Sequence, residues 1–226
     1  MTPRVIVFAP HPDDETIACG GTIAKRTGQG AEVFLVVMTD GRNSHLRRFR
    51  IENNPSPDEL AIIRESEARR AAGVLGVKPD RLTFLEFIDG ELQSHIKDAR
   101  RKVEHLLRVL SPTSIYLPSI GEVHPDHRAT YSIVIDALSR LPSQPIHFLY
   151  NIRPNSSEAG KLRNWIYEDI GSVLEIKKRA MTEYKSQTTN FSPLQNGPIL
   201  NHEFLESFMR NSEHFQQAST TLMVNV

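Results

Sequence analysis

The sequence predicts an α/β domain built on a mostly parallel sheet, strand order 3-2-1-4-5, with helices on both faces. Three observations carry this expectation. Short apolar runs alternate with amphipathic stretches from Val5 to Tyr150, the pattern of right-handed strand–helix–strand crossovers. Two of the runs end in clusters of histidine and acid, where an open α/β sheet binds its ligands. The 226 residues contain no internal repeat, low-complexity tract or linker, so residues 1–226 are read as one domain with a sizeable core.

The elements follow in order. "RVIVFAP" is a buried strand and "ETIACGGTIAKRTGQG" a helix ending at Gly28 or Gly30. "EVFLVVMT" is a second, β-branched strand, and "DGRNSHLRRFRIENNPSPDE" has no clean period and reads as a long loop. In "DELAIIRESEARRAAGVLG", Leu60, Ile63, Ala68, Ala71 and Leu75 share one helical face, with Asp58 after Pro57 as the cap. "RLTFLEF" is a third strand, "IKDARRKVEHLLRVL" a third helix and "TSIYLP" a fourth strand. "PDHRATYSIVIDALSRL" opens a fourth helix with Pro125 in its first turn, and "PIHFLY" is a fifth strand. Beyond Asn151 the pattern weakens: "EIKKRAMTEYKSQ" and "HEFLESFMRNSEHFQQ" read as helices around the loop "TTNFSPLQNGPILN".

Composition narrows the function classes. Lys plus Arg and Asp plus Glu each number 27, so the formal net charge is zero. No nucleic-acid partner is expected, because the global basic footprint is missing. The single cysteine, Cys19, cannot form an intrachain disulfide and reads as a small core residue. No apolar leader with a cleavage site precedes the first strand, and no apolar run approaches the ~18 residues that span a bilayer. The expectation is a soluble cytoplasmic protein with no membrane partner.

His11, Asp13, Asp14 and Glu15 crowd the turn after the first strand. A dinucleotide fold would place Gly-x-Gly-x-x-Gly there, whereas the pair Gly20–Gly21 comes too late. His11 and Asp14, three apart around Pro12, can both address one cation, and imidazole nitrogen with carboxylate oxygen suits zinc. Asp13 would then face the open side of the metal and take a proton from water. The competing reading is a solvated turn whose acids cap the first helix and favour its dipole. "EVHPDHRAT" repeats the chemistry with His124, Pro125, Asp126 and His127, again between a strand and a helix. With strands 1 and 4 adjacent at the switch point, the two turns face each other across the crevice. Three protein ligands and one open position make a catalytic zinc site. His11, Asp14 and one of His124 or His127 supply that set, and spacing alone does not choose between the two histidines.

"PHPDDE…GGT" with the later "HPDH" resembles the PIG-L/LmbE deacetylases. "TDG" (Thr39–Gly41), "RESEARRAAGVLG" from Arg64, "FIDG" (Phe87–Gly90) and "KSQ" (Lys185–Gln187) match as well. The likeness runs from Val5 to Gln187, giving a motif-bearing core at about residues 4–187 and an unmatched helical tail at 188–226. It implies a Rossmann-like three-layer fold, a zinc ion (or another divalent metal) and a small-molecule N-acetylglucosamine-type substrate. Homo-oligomers, trimers or hexamers, are also known among such relatives. It assigns His11, Asp14 and His127 to the metal and Asp13 to the general base. His124 becomes the residue that stabilises the oxyanion and protonates the leaving amine, oriented by Asp126.

Other residues are weighed against ordinary roles. In the loop after strand 2, Arg42 is the expected substrate contact among Arg42, His45, Arg47, Arg48 and Arg50, against a mobile solvated loop. Arg64 either reaches substrate or pairs with Glu67 or Glu86, and Asp89 either binds substrate or caps a turn. The competing functions are a metal-dependent phosphoesterase or nuclease, whose sites often want two metals and more carboxylates, and a non-enzymatic nucleotide-binding module.

Overall fold

The first strand, β1 (Arg4–Ala9), is buried along all but its first residue, as its unbroken apolar run requires. The computed structural model describes residues 2–154 and 165–217. After β1 come α1 (Asp14–Gly28), β2 (Glu32–Thr39), a short α2 (Ser44–Phe49), α3 (Pro57–Val74), β3 (Leu82–Phe87), α4 (Ile96–Leu110), β4 (Ser114–Pro118), α5 (Pro125–Leu138) and β5 (Ile146–Tyr150). The C-terminal part adds β6 (Trp165–Asp169), α6 (Leu174–Met181), the single turns α7 (Lys185–Thr188) and α8 (His202–Glu206), and β7 (Ser212–Gln217).

The sheet runs β3-β2-β1-β4-β5-β7-β6. Its first five strands are parallel and follow the expected 3-2-1-4-5 order. The last two are an antiparallel addition, Phe148 pairing with Gln217 and Ile166 with Phe215. Here the sequence expectation is corrected: "HEFLESFMRNSEHFQQ" is only briefly helical before its end becomes β7. The addition is tied down by a buried ion pair, Lys177 Nζ to Glu213 Oε1 at 2.6 Å. The other oxygen of Glu213 accepts from Thr22 N (2.8 Å) and Thr22 Oγ1 (2.6 Å) of α1. A buried charge persists only with such partners.

Two apolar layers sandwich the sheet. One packs Ile6, Phe8, Val36 and Leu117 against α4 and α5; the other packs Val5, Val7, Val33 and Leu35 against α1, α3 and α6. Gly21 is needed where α1 meets the C-terminal part, since a Cβ there would lie 2.4 Å from Ile170 Cδ1. The cap of α3 is Ser56 rather than Asp58: Ser56 and Glu59 form a reciprocal capping box, with Pro57 opening the helix.

β1 and β4 are neighbours, with Val5 paired to Ser114 and Val7 to Tyr116. The turns leaving their carboxyl ends therefore share one crevice, as the switch-point geometry demands. Among the described residues, no helix is long and apolar enough to cross a membrane.

Candidate active site

Strand β1 delivers His11, Asp13 and Asp14, and the start of α5 delivers Asp126 and His127, with His124 as its N-cap residue. All except Asp126 line one cavity of about 480 Å³, which also takes in Arg47, Arg64, Asp89 and Glu122. Asp14 is the hub. Its Oδ2 lies 3.0 Å from His11 Nδ1 and 3.2 Å from His127 Nε2. These separations match the edge of a tetrahedron around an ion with bonds of about 2.0–2.1 Å, an edge of about 3.3 Å. Two imidazole nitrogens and a carboxylate oxygen are a donor set suited to a zinc-class divalent ion. His124 also lies within reach, its donor atom within 4.8 Å of those of His11 and His127. Both of its ring nitrogens face neighbouring N–H groups. Its Nδ1 accepts from Asp126 N at 3.2 Å, and its Nε2 faces the Arg47 guanidinium at 3.0 Å.

The carboxylates behind these histidines hold the rings. His11 Nε2 lies 3.2 Å from both Asp126 Oδ2 and Asp89 Oδ1, and His127 Nδ1 lies 3.2 Å from Glu122 Oε2. Such outer carboxylates fix a ligand's ring and raise its basicity. Burial opposes charge on His127, but Asp14 and Glu122 outweigh it and push its pKa up to about 9. His11 is likewise raised, Asp89, Asp126 and Asp14 together overcoming its burial. Glu122 is a role the sequence reading missed. Buried, it also accepts from Ile152 N at 2.6 Å and Arg153 N at 3.0 Å, which pins the chain after β5 against the second turn.

Asp13 stands apart from the donor set. Its backbone is forced to φ 122°, a region L residues rarely enter. Arg64 restrains it, bonding to Asp13 Oδ2 at 2.9 Å, to the Pro12 carbonyl, and to Gly41 O at 2.8 Å. Gly41, at φ 66°, leaves room for that guanidinium, which a Cβ would meet at 2.3 Å. Burial pushes the Asp13 carboxyl up to about 7, helped by Asp14 and Glu15 and opposed by Arg64. Among the described residues, Asp13 Oδ1 takes no hydrogen bond.

Several expectations are corrected here. Arg64 pairs with Asp13, not with Glu67 or Glu86; Glu67 instead accepts from Ser186 N (2.8 Å) and Ser186 Oγ (2.6 Å), locking the "RESE" and "KSQ" segments together. Arg42 does not line the cavity. Its guanidinium is held by Asp40 at 2.7 Å and Asp58 at 2.6 Å. The segment expected to be loop contains α2, which turns Ser44, Arg47 and Arg48 (positions i, i+3 and i+4) toward the site instead. Arg47 bridges His124 and Asp89, reaching Asp89 Oδ1 at 3.0 Å. Asp89 lines the cavity, and its carboxyl is held well below the usual range: burial raises it, but His11 and Arg47 prevail.

Asp126 does not grip the His124 ring. Its carboxylate accepts from Gly90 N (2.7 Å) and Leu92 N (3.3 Å) and faces His11; only its backbone N–H reaches His124. The reason is competition, since both carboxylate oxygens are already engaged by those N–H groups and by His11. The expected imidazolium is also disfavoured. Burial, then the neighbouring charges of His11 and His127, push His124 down to about 3.

The PIG-L family, described as GlcNAc-PI de-N-acetylase, matches residues 6–138, a stretch holding both His-Pro-Asp turns. The chain belongs to the PIG-L family. It is 31% identical over 204 residues to the diacetylchitobiose deacetylase of Thermococcus kodakarensis, covering 81% of this chain and 70% of that one. A probable N-acetyl-α-D-glucosaminyl L-malate deacetylase 2 of Bacillus cereus is 30% identical over 192 residues, 83% and 85% of the two chains. The solved N,N'-diacetylchitobiose deacetylase of Pyrococcus horikoshii superposes with a TM-score of 0.75 at 28% identity, over 95% of this chain and 83% of its own. A 4-carboxy-2-hydroxymuconate hydratase from Pseudomonas putida reaches the same TM-score at 16% identity, a likeness of fold alone. Fold membership thus leaves the chemistry to the site residues. This PIG-L chain is a hydrolase of the deacetylase type.

Proposed function

We propose that this enzyme removes the N-acetyl group from an N-acetylglucosamine-type sugar or conjugate, using a zinc-class ion held by His11, Asp14 and His127. The observation that carries the reading is the division of labour at adjacent positions. Asp14 sits between two imidazoles, while Asp13 stands outside the donor set with one oxygen unengaged and its carboxyl raised to about 7. When bound, the ion supplies Lewis acidity toward the acetamide carbonyl and eases the ionisation of water.

The remaining chemistry belongs to the chain. Asp13 takes the proton from the attacking water; a base poised near neutrality both accepts and returns a proton efficiently. Arg64 holds the carboxylate in place and prevents it from turning toward the donor set. The negative charge that develops on the carbonyl oxygen meets the wall formed by His124 and Arg47. Arg47 contributes the fixed positive charge there, because the ring of His124 is held neutral. The proton now on Asp13 passes to the departing nitrogen, which cannot leave as an amide anion. The product is an amino sugar and acetate.

The named substrates of the relatives supply the test. Acetate release is followed from N,N'-diacetylchitobiose and from N-acetylglucosaminyl malate, with the protein metal-free and then reloaded with zinc. The reading expects zinc-dependent release of acetate and a free amine from at least one N-acetylglucosamine conjugate, these two or N-acetylglucosamine 1-phosphate. Release that is indifferent to chelation, or no release from any of the three, contradicts it.

A further inference from the structure

We infer that the mouth of the active site is an anion subsite, so that the preferred substrate carries a carboxylate or phosphate beyond the N-acetylated sugar. The inference rests on the deacetylase reading above and names its substrate class. Charge in the cavity is segregated by depth. The acids that line it (Asp13, Asp14, Asp89 and Glu122) are all 5% exposed or less. Each is committed: Asp13 to Arg64, Asp14 to two histidines, Asp89 to Arg47 and His11, Glu122 to His127 and two backbone N–H groups.

The exposed lining is different. It consists of Arg47, Arg48, Arg153 and Asn201, with no exposed acid among the described lining residues. The chain as a whole is electrically neutral, with 27 basic and 27 acidic residues, so this collar is local rather than a reflection of a basic protein. Nor are the arginines loosely disposed. Arg153 lies over the Phe204 ring at 4.7 Å from its centroid, and Arg47 is anchored to Asp89 at 3.0 Å. They belong to separate elements, Arg47 and Arg48 to α2 and Arg153 to the segment after β5, and all three line the one cavity.

A guanidinium fork matches carboxylate and phosphate geometry and is weakly hydrated, so little is lost when it pairs. A wholly neutral disaccharide would offer these guanidinium groups no opposite charge.

The experiment uses the full chain loaded with zinc. It compares kcat/KM for three substrates: neutral N,N'-diacetylchitobiose, N-acetylglucosaminyl malate for carboxylate, and N-acetylglucosamine 1-phosphate for phosphate. At low salt, one anionic substrate is expected to exceed the neutral one by about tenfold or more, the scale of one or two half-exposed charge pairs. The better of the two distinguishes carboxylate from phosphate. The advantage should shrink with ionic strength, and the anionic-to-neutral ratio should fall about tenfold in R48Q/R153Q. The single variant Arg48→Glu, with its melting temperature checked, gives the same reading if the double variant folds poorly.

A ratio near one, or a ratio that these variants leave unchanged, overturns the anion subsite. Cleavage of diacetylchitobiose alone overturns it too, while leaving the deacetylase reading intact. Cleavage of none of the three overturns both.

Discussion

The same tripeptide, His-Pro-Asp, leaves β1 and β4, yet its residues do different work in the two places. In the first turn, His11 joins the donor set and Asp13 is thrown out of it by a backbone at φ 122°, braced by Arg64. In the second, Pro125 starts a regular helix. His124 becomes its N-cap, and Asp126 falls into the first helical turn with its carboxylate buried against His11 and Gly90 N. The donor role passes to the next residue, His127, as it passes to Asp14 in the first turn. On the proposed mechanism, backbone conformation rather than residue type separates the proton carrier from the supporting carboxylate.

The comparison can be broken most severely at the donor set. His127→Ala should lose the metal and reduce acetate release to background, read by elemental analysis beside the activity assay. An active variant that retains metal would shift the ligand role to His124. Next in size is Asp126→Asn. Because Asp126 supports His11 rather than His124, metal affinity should drop ~10–100-fold, while kcat at saturating metal changes by only a few-fold. A competition titration against a chelator measures the first quantity. A large loss of kcat with unchanged affinity would return Asp126 to the side of His124.

A smaller effect concerns pH. Asp13 must be ionised to act, so kcat/KM should rise with pH through its pKa. With no ion bound that pKa is raised to about 7, and a cation at the neighbouring donors favours the ionised form and moves the limb below that value. Arg64 lowers the same pKa, so Arg64→Gln should move the acidic limb upward, checked by pH–rate profiles on folded, metal-loaded protein. Since His124 is pushed down to about 3, its deprotonation sets no alkaline limb, and His124→Ala should leave that limb where it is. The smallest effect is expected at Arg42, tied to Asp40 and Asp58 outside the cavity. Arg42→Gln should leave kcat/KM within about twofold, and a tenfold loss would restore it as a substrate contact.

Much of the proposed site was legible because candidate metal ligands are specific residue types at close spacing. His11, Asp13, Asp14 and His127 announce themselves within two short segments. The parallel half of the sheet was legible for a related reason, as strands buried on both faces need unbroken apolar runs. What escaped depends on contacts between distant segments. Strand β7 is "SEHFQQ", polar at every position but Phe215, and it follows Phe204, Leu205 and Phe208, whose spacing imitates a helix face. The importance of Arg47 over Arg42 follows from one short helix inside a stretch without a visible period. Glu122 looks like an ordinary surface acid in "GEVHPDH", because its partners, the N–H groups of Ile152 and Arg153, belong to another element. The strain at Asp13 leaves no mark in the sequence at all.

The central claim is that neighbouring acids in the first turn divide metal binding from proton transfer, and Asp13→Asn beside Asp14→Asn tests it most directly. Both proteins are reloaded with zinc, and bound metal and kcat for acetate release are measured on the same samples. Asp13→Asn should hold a full equivalent of metal while kcat falls by ~10²–10⁴, the usual share of general acid–base catalysis. Asp14→Asn should lose metal and activity together. Near-normal turnover in metal-loaded Asp13→Asn, or full metal occupancy in Asp14→Asn, would contradict the account.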